Sequence, residues 1–132
     1  DGGLLQPILG AGFGDYENGI LDYKCLINPV ADPVNGCGVN VAPKDVVFYN
    51  STSSGAQLQA FNKYGLEALQ PWGYSPSTNS FITYDDAWSV KAKTQKVIAQ
   101  KLGGTMFWEL DGDSTDPSKS LVRAVANSYN GK

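Results

Sequence analysis

Residues 103–114 read Gly-Gly-Thr-Met-Phe-Trp-Glu-Leu-Asp-Gly-Asp-Ser. An almost wholly apolar run leaves a glycine pair and breaks off at Trp108, Glu109, Asp111 and Asp113. Glu109 and Asp111 stand two apart, so on an extended backbone both carboxylates face one side. Two carboxyl groups on one face could share a proton-transfer task, one giving and one taking. Trp108 adds a flat apolar surface with a single N–H at its edge. One reading of this stretch is the rim of an active site. The other is a buried strand that ends in a polar loop.

Composition removes several chemistries. The 132 residues hold 0 histidines, which excludes Ser-His and Cys-His nucleophile arrangements and the usual zinc sites. Net charge is −3 and the basic residues do not cluster, so nucleic acid is not expected as a partner. No run approaches the ~18 consecutive apolar residues of a membrane span, so no membrane is expected either. The 2 cysteines, Cys25 and Cys37, are not in CxxC spacing and form no His/Cys cluster, which argues against a metal site and against dithiol redox chemistry. A disulfide closing a Pro/Gly/Asn-rich loop is one reading of the pair, and two free buried thiols are the other. Asn50-Ser51-Thr52 matches a glycosylation sequon, which together with a disulfide fits a secreted protein. The chain opens at Asp1 with no leader pattern and is expected to be a mature or cut product.

The elements that must position these residues fall into two halves. Gly10 and Gly12 suggest a dinucleotide-binding loop, but the third glycine of that pattern would fall on Asp15. The glycines read instead as turn formers. Ile20, Leu21, Tyr23, Leu26 and Ile27 predict a short helix ended by Asn28-Pro29. A loop then carries Pro33, Asn35-Gly36 and Gly38. Residues 46–49 form a β-like run, and 66–74 and 80–84 predict two strands joined by a Ser/Pro/Asn loop. Residues 1–84 therefore read as a small antiparallel α+β unit.

Residues 85–132 change register. Asp85-Asp86 offers a helix cap, and Ala87, Val90, Thr94, Val97, Ile98 and Leu102 recur at steps of three and four. Gly103 is the expected stop. Residues 105–110 predict a strand without inside/outside alternation, the pattern of a parallel strand covered on both faces. Asp116-Pro117 predicts the start of a second helix, with Leu121, Val122, Val125 and Tyr129 as its apolar stripe. Helix, buried strand, helix is a piece of an α/β fold. A parallel strand needs parallel neighbours, and no second strand of that type is legible, so the missing strands are expected elsewhere.

Three stretches converge on one family. Gly14-Asp15-Tyr16-Glu17-Asn18-Gly19-Ile20-Leu21-Asp22-Tyr23 resembles part of the insertion domain of family 18 chitinases of the bacterial chitinase A type. Ser77-Thr78-Asn79-Ser80-Phe81-Ile82-Thr83-Tyr84-Asp85-Asp86-Ala87, continuing through Ser89 to Lys93, resembles the return from that insertion into the seventh barrel helix. Gly103-Gly104 through Trp108-Glu109-Leu110-Asp111 resembles the eighth strand. The three occur in the family's order, covering residues 10–29 and 66–130.

The resemblance implies the C-terminal part of a TIM (β/α)8 barrel, its last strand and two helices, carrying an α+β chitinase insertion domain. Trp108 would then form the hydrophobic floor beneath the sugar at the cleavage point, at the carboxyl end of a barrel strand. Tyr16 and Glu17 would line the groove away from that point, by stacking and by hydrogen bonding to sugar hydroxyls, and Glu109 would stand beside Trp108 in the substrate-binding set. The paired-carboxylate reading of Glu109 and Asp111 then fails. The family cleaves with the Glu of an Asp-x-x-Asp-x-Asp-x-Glu motif on another strand, with the substrate's N-acetyl group as nucleophile. That motif is absent here, so the catalytic acid is expected upstream. Asp113 and Asp116 are expected as loop and helix-cap residues, Trp88 as helix packing, and Trp72 and Tyr74 as core or sugar contacts. The implied partners are chitin or N-acetylglucosamine oligosaccharides and the missing N-terminal part of the barrel, with no metal or organic cofactor. The rival expectation is a chitinase-like carbohydrate-binding protein without hydrolysis.

Overall fold

The computed structural model describes residues 10–15, 17–29, 37, 42–64 and 68–131. Within them β1 (Val47–Tyr49), β2 (Trp72–Ser75) and β3 (Ser80–Thr83) form an antiparallel sheet in the order β1-β2-β3. Aromatic side chains suit a pleated, half-buried surface, and here they set the cross-strand contacts. Tyr49 lies opposite Trp72 and stacks on it, with ring centroids 3.7 Å apart and planes 6° from parallel. Trp72 also meets Phe81 of β3 at 5.6 Å. Trp72 is buried, so the core reading of this residue is the one the sheet adopts. The Tyr74 hydroxyl donates to Asn79 Oδ1 at 2.8 Å across the turn of the β2–β3 hairpin. Asp45 secures the same turn from outside the hairpin, accepting from the Ser75 hydroxyl at 2.7 Å and the Ser77 amide at 2.9 Å.

Helices cover this sheet and extend beyond it. α2 (Gly55–Tyr64) packs on β1, and its Phe61 is fully buried. Phe61 meets the Trp88 ring edge-on at 5.5 Å, joining α2 to α3 (Ala87–Ala99). α3 packs against α4 (Leu121–Tyr129) through the buried residues Val90, Thr94 and Val125. The Thr94 hydroxyl would be costly in that interface if unpaired. It donates to the Val90 carbonyl at 2.7 Å. The start of α3 is fixed by a full capping box: Asp86 accepts from the Ser89 amide at 2.8 Å, and the Ser89 hydroxyl accepts from the Asp86 amide at 2.9 Å.

Several boundaries depart from the sequence expectation. α1 spans only Tyr23–Ile27, because residues 17–20 are used in a turn that precedes it. The first hairpin strand is confined to Trp72–Ser75; Leu69, with φ 52°, stands in the left-handed region where a strand cannot run. α3 ends at Ala99, and the left-handed stop expected of Gly103 is taken by Lys101, φ 55°. The Leu102 amide then reaches back to the Val97 carbonyl at 3.0 Å. α4 begins at Leu121 with Ser120 as its cap, not at Pro117. Asp116 closes a separate turn instead, accepting from the Ser118 amide at 2.9 Å.

The largest departure concerns residues 105–110. They join no ladder with any described strand, and Leu110–Gly112 form a short 3-10 helix. A strand exists only through its neighbours, and the three described strands pair antiparallel among themselves. Three of the run's apolar side chains are bare, Met106 at 81% exposure, Trp108 at 86% and Leu110 at 65%, while Phe107 is half-buried. The α/β character expected of residues 85–132 therefore appears as two packed helices joined by an unpaired apolar segment.

Candidate substrate-binding site

The first candidate element is the turn around Glu17. The Asp15 amide donates to the Ile20 carbonyl at 3.1 Å and the Ile20 amide to the Glu17 carbonyl at 2.9 Å. This closure brings two carbonyls onto Gly14, where a Cβ would overlap Glu17 O and Ile20 O. Only glycine permits so close a backbone approach. Glu17 is exposed on the turn. Tyr16 lies outside the described residues.

The chain then enters α1, which is held at both sides. Asp15 Oδ1 accepts from the Asp22 amide at 2.9 Å, fixing the approach to the helix. Cys25, fully buried, is joined to Cys37 in a disulfide with Cα atoms 5.4 Å apart. The Asp22 carboxyl sits above its ordinary range because burial disfavours its charge and Asp15 repels it, with Lys24 pulling the other way. Asp15, Asp22 and Cys25 gather ligand-type atoms within 4.8 Å, but the Cys25 sulfur is spent in the disulfide and two carboxylates remain.

The second candidate element is the segment from Trp108 to Gly112. Trp108 presents its indole almost entirely to solvent, and Glu109 beside it is exposed. The peptide bond between them is cis. The backbone turns immediately afterwards: the Gly112 amide donates to the Glu109 carbonyl at 3.3 Å and the Asp113 amide to the Leu110 carbonyl at 3.2 Å. Asp113 does not point to a ligand. Its carboxylate accepts from the Ser120 hydroxyl at 2.6 Å, the Leu121 amide at 2.9 Å, the Val122 amide at 3.2 Å and the Ser114 amide at 2.8 Å. Burial raises its pKa, yet these four donors together outweigh burial and hold it below its ordinary value. With its oxygens engaged in this way, Asp113 anchors the start of α4.

The two elements meet. Lys24 of α1 donates to the Asp111 carbonyl at 2.6 Å and pairs with Asp22 at 3.4 Å. Gly112 lies against the same Asp22, where a Cβ would stand 3.0 Å from Oδ1. Residues 87 apart in sequence thus bring the Glu17 turn and the Trp108 segment onto one part of the molecule. Sequence reasoning had no route to Lys24 and Asp22, because a single lysine in a short helix carries no sign of a carbonyl so far along the chain.

A cleft of about 280 Å³ lies nearby, lined by Phe13, Leu21, Tyr23, Phe81, Tyr84 and Leu121 among others. Trp108, Glu17 and Glu109 do not line it. Both tyrosine hydroxyls are kept un-ionised, at about 12: burial dominates for each, with Asp86 and Asp113 adding for Tyr23 and Asp86 for Tyr84. Tyr84 also engages the sequon. The Asn50 side-chain amide donates to the Tyr84 hydroxyl at 2.9 Å, and Asn50 Oδ1 accepts from the Thr52 amide at 2.9 Å and the Thr52 hydroxyl at 2.7 Å.

An exposed indole beside a carboxylate, linked through Lys24 and Asp22 to a turn bearing a second exposed acid, is a surface suited to a ring with one apolar face and peripheral hydroxyls. Residues 9–113 match the model of the glycosyl hydrolases family 18. The chain belongs to glycosyl hydrolase family 18. Its relatives include Endochitinase 1 of Metarhizium robertsii, 30% identical over 98% of this chain and 23% of that protein. Chitinase A1 of Niallia circulans is 35% identical over 58% of this chain and 11% of its own length. Chitinase B of Serratia marcescens is 35% identical over 72% and 19% respectively. The chain thus spans roughly a tenth to a quarter of the relatives it matches. Family 18 membership implies a TIM-barrel fold, and the described residues of this chain form a three-stranded antiparallel sheet and four α-helices. Among the described residues no helix is long and apolar enough to cross a membrane.

Proposed function

We propose that this chain is the C-terminal part of a chitinase catalytic domain. Residues 1–84 form most of an α+β insertion domain of the bacterial chitinase A type, and residues 85–132 supply the last helix, strand and helix of the barrel. The whole protein hydrolyses β-1,4 linkages between N-acetylglucosamine units with retention, the substrate's N-acetyl group acting as nucleophile. This chain supplies sugar-contacting surface through Trp108, Glu109, Glu17 and Tyr16. The proton donor lies in the part of the protein outside these 132 residues. The disulfide between Cys25 and Cys37 supports a secreted protein, since such bonds persist in oxidising compartments.

The observation that carries this reading is the exposure of Trp108, 86%, within a stretch matched to family 18. Trp108 is accompanied by exposed Met106 and Leu110, and clustered exposed apolar surface marks places that a ligand or partner covers. Residues 105–110, unpaired here, have the sequence of a strand that takes its ladder partners from the rest of a barrel.

The test is hydrolysis by the whole protein. Proton NMR of the first sugar released from N-acetylglucosamine hexamer should show the β-anomer before mutarotation. An α-anomer would refute retention, and binding without any release of product would favour the rival reading, a chitinase-like carbohydrate-binding protein.

A further inference from the structure

We propose that Lys24 is a positioning residue for substrate binding: its ammonium fixes the turn that follows Trp108 and Glu109 against the turn that bears Glu17. The inference rests on the reading that both turns face sugar. It goes beyond that reading by assigning a role to a residue that touches no substrate.

The geometry forms one continuous path. The Glu17 turn is closed by Asp15 and Ile20, and the Asp15 carboxylate holds the Asp22 amide at 2.9 Å. Asp22 leads into α1, where Lys24 returns to it at 3.4 Å and reaches across to the Asp111 carbonyl at 2.6 Å. From there the Gly112 amide bonds the Glu109 carbonyl. Beside the Lys24 bond, the Gly112 backbone lies against the Asp22 side chain, where a Cβ would stand 3.0 Å from Oδ1. The Lys24 side chain is 17% exposed and lies along α1, while the Asp111 carbonyl it reaches belongs to an exposed residue. A charged donor on a backbone carbonyl is worth more than a neutral one. The bond therefore ties α1 to the turn at Asp111, two elements 87 residues apart. A sugar chain contacting Trp108 and Glu17 together is sensitive to their separation, and small misplacements are costly.

The experiment uses the whole protein with Lys24→Met, which keeps the length and removes the charge, and Lys24→Arg, which keeps a donor. Amide exchange read by mass spectrometry should speed roughly tenfold across residues 109–113 in Lys24→Met, the scale of one lost charge-assisted bond, while α4 stays protected and Lys24→Arg behaves as wild type. On N-acetylglucosamine pentamer, KM should rise roughly tenfold with kcat little changed, and Lys24→Arg should restore it. In a Trp108→Ala background the effect of Lys24→Met should shrink, because coupled sites are non-additive. Unchanged exchange at 109–113, or an equal loss in both backgrounds, would overturn the proposal. A wild-type protein that neither binds nor cleaves the pentamer would instead refute the chitinase reading, and the exchange measurement would still decide whether Lys24 holds the turn.

Discussion

The Asp113 carboxylate accepts the Ser120 hydroxyl at 2.6 Å, and through this contact the turn after Trp108 is locked to the start of α4. Ser120 is itself the cap of that helix, accepting from the Arg123 amide at 3.0 Å. Asp113 adds the Leu121 and Val122 amides, so nearly all the free donors of the first helical turn end on two side chains. The anion at the positive end of the helix is favoured as well.

Asp113→Ala should therefore destabilise the whole protein by about 2 kcal/mol, the scale of charged hydrogen bonds lost at a helix start. The pH dependence has a definite sign. The folded carboxyl titrates below its ordinary value of 3.8, so folding holds it ionised. Its contribution is complete above that value and is lost as acid protonates the folded form. Denaturant titrations between about pH 6 and pH 2 should show a smaller acid loss in Asp113→Ala than in wild type. Parallel curves for the two proteins would show that Asp113 is not the group responsible.

Gly14→Ala tests the Glu17 turn. The added Cβ would collide with the Glu17 and Ile20 carbonyls, which are backbone and cannot swing aside. The turn must open, losing the Ile20 amide bond to Glu17. A cost of about 2–4 kcal/mol is expected, in the range of overpacking with a lost hydrogen bond. A thermal unfolding midpoint within a degree or so of wild type would show that the turn accommodates a side chain.

The sequence disclosed these two elements unequally. The hairpin of β2 and β3 and the body of α3 were legible because their signals are local: a Ser/Pro/Asn loop between apolar runs, and an Asp85-Asp86 cap before a three-four repeat. The stop of α3 was misplaced because Lys101 adopts the left-handed conformation that glycine usually takes. The start of α4 was misplaced because Asp116-Pro117 has the pattern of a cap, while tertiary contact with Asp113 gives that role to Ser120. The strand expected over 105–110 was read from composition, and composition does not supply hydrogen-bonding neighbours. At the candidate site, Trp108 and Glu17 are singled out by motif resemblance. The Lys24 link between their two elements has no local signature, since it depends on how α1 settles on the turn at Asp111.

Trp108→Ala in the whole protein should lower kcat/KM on N-acetylglucosamine oligosaccharides by an amount corresponding to about 1–3 kcal/mol at the transition state. Its folding stability should change little, because an indole 86% exposed contributes few packing contacts within this chain. The combination separates two roles. A large loss of stability with unchanged kcat/KM would place Trp108 in the packing of the remaining barrel and not beneath a sugar.

The isolated 132-residue chain should release no N-acetylglucosamine oligomers from chitin. Its acids near Trp108 are Glu109 and Asp111, both exposed, and Asp113, whose carboxylate is engaged by four donors. The Asp-x-x-Asp-x-Asp-x-Glu motif expected to carry the general acid is not among these residues. The same chain should self-associate: Met106, Trp108 and Leu110 expose apolar surface along a segment whose backbone has no ladder partners among the described strands, and such edges recruit others. Sedimentation velocity should show concentration-dependent oligomers, reduced when the N-terminal remainder of the family domain is added in trans. A stable monomer with cooperative unfolding would mean that residues 105–110 need no neighbours, and the barrel assignment of residues 85–132 would fall with it.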